Sequence, residues 1–123
     1  MTAIPEFTVT VHQRGRLRVV EVDGELDVLT APRLGAAIDD EEAYDDLVLD
    51  LRQVPFMSSV GLGLLSSVHR RQQRRGRSVA LAAIQPEIAH LLEITGLTEV
   101  LMIGDTVPAA IDLVRDTGTY YSE

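Results

Sequence analysis

The chain has no cysteine, no tryptophan and no lysine among its 123 residues. Without cysteine, disulfides, thiolate catalysis and thiolate-held metal are all excluded. With only two Phe and three Tyr, the core must be built from Leu, Val, Ile and Ala. The same scarcity removes the aromatic platforms on which single-stranded nucleic acid stacks. Apolar runs are short, far below the ~20 residues of a membrane span. The opening Met1-Thr2-Ala3-Ile4-Pro5-Glu6 lacks a basic segment followed by an apolar one, so no signal peptide is expected. Charge of one sign is also thin: 11 basic residues, all Arg, stand against 19 acidic ones, for a formal net charge of −8. Such a body repels phosphate backbones and anionic lipid, so neither nucleic acid nor membrane is an expected partner. A cytoplasmic protein is expected.

What is present is a hydrophobic fraction of 46%, ordinary for a folded core, in a length that fits one compact domain over residues 1–123. Phe7 to His12 alternates apolar and polar residues as a half-buried strand does, and Leu17 to Val22 forms a second strand across the Arg14-Gly15 turn. Thr30 is placed as the N-cap of a helix with Pro32 in its first turn and Leu34, Ala37 and Ile38 at helical spacing. Asp39-Asp40-Glu41-Glu42 and Asp45-Asp46 then read as a solvated acidic connection. Leu47 to Leu51 has the composition of a central strand covered on both faces. Ser58 or Ser59 caps a helix carrying Leu62, Leu65 and Val68, which Gly76 ends. Val79 to Ile84 is a further strand, and Pro86 opens a helix with Ile88, Leu91 and Leu92 that closes at Gly96. Val100 to Ile103 is a short strand, and Thr106 caps a last helix with Val107, Ile111 and Val114 before a frayed tail over 117–123. The order β-β-α-β-α-β-α-β-α predicts an opening hairpin, then right-handed crossovers in a mostly parallel sheet packed by about four helices.

In open α/β sheets, functional loops gather beyond the carboxyl ends of the strands. Two segments qualify: Gly24 to Ala31, and Phe56 to Gly63 at a strand-to-helix turn. A serine nucleophile there would need a Gly-x-Ser-x-Gly frame and a nearby histidine. The frame is absent, and His12, His69 and His90 fall on a strand, far down the same helix and on another helix. A phosphate loop would need a lysine the chain does not have. Asp27, Asp45 and Asp50 come with no histidine at metal-ligand spacing and read as solvated or capping carboxylates. An enzyme is therefore not expected, nor a cofactor or metal. What remains is a helix N-terminus presenting two hydroxyls, Ser58 and Ser59, either as plain caps or as phosphate acceptors that the helix dipole would tolerate. The basic run His69-Arg70-Arg71-Gln72-Gln73-Arg74-Arg75-Gly76-Arg77 lies at a helix C-terminus and reads as a solvated end or a contact for an acidic partner.

Three motifs in order carry a resemblance: Gly24-Glu25-Leu26-Asp27-x-x-Thr30-Ala31, Leu47-Val48-Leu49-Asp50-Leu51, and Phe56-Met57-x-Ser59-x-Gly61-Leu62-Gly63. Together they resemble the STAS-domain anti-sigma-factor antagonists of bacteria, along nearly the whole chain. The resemblance implies a small mixed sheet packed by helices. It also implies a non-enzymatic protein that binds an anti-sigma factor of histidine-kinase-like ATPase fold and so frees a sigma factor. ATP would be bound by that kinase partner and not by this chain. Ser59 falls on the serine that such a kinase phosphorylates to block binding and that a serine phosphatase restores. Asp27, Thr30, Ser58, Ser59, Val60, Gly61 and Gly63 would line the docking surface of a monomer or weak dimer. Two positions depart from the family's motif: Ser58 replaces an acidic residue, and the β-branched Val60 replaces a small one. A binder without the phosphorylation switch, and a scaffold or sensor module with a different ligand, stay open beside the switched antagonist.

Overall fold

A computed structural model of the chain describes residues 6–39 and 45–118. Strands β1 (Thr8–Arg14), β2 (Leu17–Asp23), β3 (Asp46–Gln53), β4 (Val79–Ala82) and β5 (Met102–Gly104) form one sheet in sequence order. β1 and β2 are an antiparallel hairpin, and β2-β3, β3-β4 and β4-β5 are parallel. Helices α1 (Ala31–Ile38), α2 (Ser59–Arg74), α3 (Pro86–Ile94) and α4 (Val107–Gly118) make the crossovers, with a short 3-10 turn at Leu97–Glu99. The mixed sheet with four helices is the one expected from the sequence.

Alternation along the strands divides the core in two. Val20, Val22, Leu49, Leu51, Val79 and Leu81 face α1, α2 and α3 and meet Leu34, Leu65 and Leu92. The opposite face, with Leu17, Val19, Val48, Ala80 and Ala82, is covered by α4 through Ala110 and Val114. α4 sits close because Gly104 has no side chain: a Cβ there would come within 2.5 Å of the Ala110 nitrogen.

Several local expectations are confirmed. Gly76 and Gly96 take left-handed φ values of +67° and +77° just past α2 and α3, where only glycine is unstrained. The Thr106 hydroxyl accepts from the Ala109 amide at 3.1 Å and caps α4. Others are corrected. β4 ends at Ala82, because Ala83 turns to φ +56°, a left-handed conformation that ends the strand. β5 begins at Met102, not Val100: the Leu97 carbonyl accepts from the Val100 and Leu101 amides, holding both in the preceding turn. Thr117, expected in a frayed tail, is the eleventh residue of the twelve in α4, while 119–123 lie outside the described residues.

The acidic connection is also less solvated than its composition implies; positions 40–44 lie outside the described residues. Asp39 pairs with Arg71 at 2.9 Å, and Asp45 with Arg18 at 3.3 Å. Asp46 accepts from the Ser78 amide. The basic run answers these groups. Gln72 is buried and donates to the Asp45 and Ser78 carbonyls, and Arg71 also donates to the Ile38 carbonyl. Two residues of a segment read as a solvated helix end, Arg71 and Gln72, therefore fasten the α1–β3 connection.

Candidate functional site

The site is built where two loops run side by side. The chain leaves β2 at Gly24 and β3 at Gln53, and the Gly24 amide donates to the Gln53 carbonyl at 3.0 Å. Leu26 then sits opposite Met57 in an isolated parallel bridge. The Leu26 amide donates to the Phe56 carbonyl and the Ser58 amide to the Leu26 carbonyl, both at 2.9 Å. Leu26 and Met57 point inward and are buried. These bonds use up backbone groups that a loop would otherwise leave to water.

Gly61 makes this approach possible. A Cβ at position 61 would lie 2.8 Å from the Leu26 carbonyl oxygen and 2.8 Å from Met57 Cγ. The backbone carbonyl cannot move without breaking the bridge, so the first turn of α2 touches the neighbouring loop only through a glycine. Gly63 is different: nothing lies within 4 Å of the Cβ it lacks.

Beyond Leu26 the first loop closes on itself. The Asp27 carboxylate accepts from the Leu29 and Thr30 amides at 2.9 and 3.1 Å. The Thr30 hydroxyl accepts from the Asp27 amide at 2.9 Å and donates to the Glu25 carbonyl at 2.6 Å. Thr30 occupies the N-cap position of α1 but makes no capping bond into the helix; its hydroxyl works backwards on the loop. Asp27 is thus the residue that shapes the turn, because its side chain gathers the amides that precede α1. The Thr30 amide, and then that of Leu29, hold its carboxyl below the usual carboxylate range.

At α2 the two serines separate. Ser58 is the N-cap, extended at ψ 174°, and its hydroxyl accepts from the Gly61 amide in a long bond of 3.4 Å. It is half-buried, where two exposed hydroxyls were expected. Ser59 begins the helix and is exposed. No acidic residue occupies the first turn, and the sixteen-residue helix behind it directs its positive end at Ser59. Around this point large apolar side chains stand in water: Val28 is 64% exposed, Leu29 79%, Phe56 49% and Val60 45%. Composition did not single out Val28, Leu29 and Phe56. The signal was available only as apolar residues inside segments already read as loops.

Asp27, Thr30, Ser58, Ser59 and Val60 are therefore brought to one surface, with Gly63 exposed further along α2. Gly61, expected on the docking surface, is instead buried against Leu26 and Met57 and serves the contact between the two loops. Asp50, from the second motif, is not part of it. It lies buried on the α4 face of β3 and pairs with Arg52 at 3.0 Å, so it is neither solvated nor a strand-end cap. Among the described residues no group of three or more His, Asp or Glu side chains could hold a metal ion, and no helix is long and apolar enough to cross a membrane.

The model of the STAS domain matches residues 8–110. The chain belongs to the STAS domain family. Two relatives are the anti-sigma-B factor antagonist of Listeria monocytogenes, 32% identical over 67% of this chain and 74% of the other, and the anti-sigma F factor antagonist of Paenibacillus polymyxa, 30% identical over 76% and 82%. Among solved structures, an anti-sigma factor antagonist from Mycobacterium paratuberculosis superposes with a TM-score of 0.80 at 29% identity, covering 94% of this chain and all of that one. The resemblance carried by the three motifs thus holds, and within the STAS fold those motifs make up the two bridged loops and the strand between their helices.

Proposed function

We propose that this STAS protein antagonises an anti-sigma factor by docking through the bridged loops, and that phosphorylation of Ser59 releases the partner. The observation that carries the reading is the exposed Ser59 hydroxyl at the open end of α2, beside exposed Val28, Leu29, Phe56 and Val60. Exposed apolar side chains grouped on rigid loops favour a protein partner. The names of the relatives, anti-sigma-B and anti-sigma F factor antagonist, supply its class. The partner is a kinase-type anti-sigma factor with a histidine-kinase-like ATPase fold, opposed by a serine phosphatase, in the cytoplasm. The chain itself performs no chemistry and binds no cofactor.

The switch follows from electrostatics. A phosphate on Ser59 adds about −1.5 to −2 charges where the helix dipole stabilises an anion, so the fold tolerates it. A partner surface that has covered the neutral hydroxyl would have to desolvate that charge, at several kcal/mol unless it is paired. Ser58 keeps the cap without adding a carboxylate beside the acceptor.

Incubation with the cognate anti-sigma kinase and ATP should add one phosphate, mapped to Ser59 by mass spectrometry and absent from Ser59→Ala. Ser59→Asp should bind the partner roughly 100-fold more weakly, about 2.7 kcal/mol. Undiminished binding by the phosphorylated protein would remove the switch. If Leu29→Asp also left binding intact, the docking surface would go with it.

A further inference from the structure

Among the described residues β1 is an edge strand of seven residues, Thr8-Val9-Thr10-Val11-His12-Gln13-Arg14, and only Val9 is even half-buried. Edges of this length are ordinarily blunted by a proline, a bulge or an inward charge, because their unpaired amides and carbonyls template another strand. β1 has none of these devices: its pairing with β2 is regular from Thr8 to Arg14, and four of its seven residues are β-branched. We infer that β1 pairs antiparallel with β1 of a second copy of this chain, around a two-fold axis at Val11.

The register is fixed by the hairpin. Arg14 and Leu17 flank a two-residue turn and form its closing pair, so hydrogen-bonded pairs toward β2 fall at Arg14, His12, Thr10 and Thr8. The backbone groups of Val9, Val11 and Gln13 therefore point away from the sheet. An axis at Val11 sets Val11 against its own copy and Val9 against Gln13 on one face, with Thr10 against His12 and Thr8 against Arg14 on the other. Val11, 41% exposed, is then covered by its equivalent.

Charge selects the same arrangement. β1 holds none of the chain's acidic residues, so its own side chains add no like-charge repulsion between two acidic copies. Arg14 of each copy arrives at the end of the partner strand where Asp23, the β2 neighbour of Thr8, and Glu6 stand. An axis at Gln13 would instead set Arg14 opposite His12, and one at Val9 would carry Val11 to Arg14 past the Thr8 end of the partner strand.

Light scattering coupled to size exclusion, or sedimentation equilibrium, across micromolar to millimolar protein tests this. A monomer–dimer equilibrium is expected, with Val11→Lys and Val11→Pro each raising the dissociation constant at least ~10-fold while circular dichroism stays unchanged. Because the chain has no cysteine, Val11→Cys introduces a single thiol that should oxidise to a covalent dimer much faster than Val60→Cys. A chain that stays monomeric throughout, a dimer indifferent to Val11→Lys, or equal oxidation of the two cysteine variants would each overturn the inference. Should the lysine and proline variants unfold, the cysteine comparison still decides it.

Discussion

Two glycines separated by one residue show how differently the same missing side chain can matter. Gly61 is forced by contact: a Cβ would collide with the Leu26 carbonyl and Met57. Gly63 sits in open space inside a helix, where glycine costs roughly 0.5–1 kcal/mol relative to alanine. Gly63→Ala is therefore expected to raise the melting temperature, whereas Gly61→Ala is expected to lower stability by about 1–3 kcal/mol through overpacking. Thermal and chemical denaturation of the two variants would check this, and effects of the same sign would contradict the assignment. From sequence both glycines look alike, as helix-opening residues of one motif. What distinguishes them is a carbonyl contributed by a loop over thirty residues away, which no local pattern records. The same holds for Gln72, whose buried bonds to Asp45 and Ser78 cannot be read from a basic run.

At the scale of elements, the loop before α1 depends on one carboxylate. With its folded value lowered by the Thr30 and Leu29 amides, Asp27 contributes stability that is fully present above the ordinary carboxylate range and fades as pH falls through the lowered value. Asp27 should accordingly titrate below a free aspartate when its carboxyl carbon is followed by NMR. In Asp27→Asn the amides of Leu29 and Thr30 should exchange faster with solvent. A carboxyl titrating at or above the ordinary value would refute the turn geometry. Elements with strong local signals were legible: helix starts at Pro86 and Thr106, helix ends at Gly76 and Gly96, and β3 from its apolar run. Edges were not. β5 shifted because the turn at Leu97 claims Val100 and Leu101, and β4 stopped early because Ala83 adopts a conformation that its residue type disfavours.

For the whole molecule, the two-sided covering of the sheet predicts where it opens last. β3 lies at the centre with Leu47, Val48, Leu49 and Leu51 buried, between helices on one side and α4 on the other. Native-state hydrogen exchange should be slowest along Leu47 to Leu51 and approach the global unfolding free energy there, with β5 and the α4 C-terminus much faster. Protection greatest in α4 would show that its contact at Gly104 dominates instead. The alternating strand and helix order made this layering legible from sequence. The assignment of helices to faces was not, because it depends on which residues of each strand meet which helix.

The bridge between Leu26 and Met57 also has a consequence for how this protein can change over generations. The atom that crowds position 61 is a main-chain oxygen, so no replacement of the Leu26 side chain makes room for a larger residue there. Position 61 should remain glycine through substitutions at 26, 57 and 60, while position 63 drifts. Val28, Leu29 and Val60, which nothing in the fold requires, are then free to follow whichever partner the surface meets.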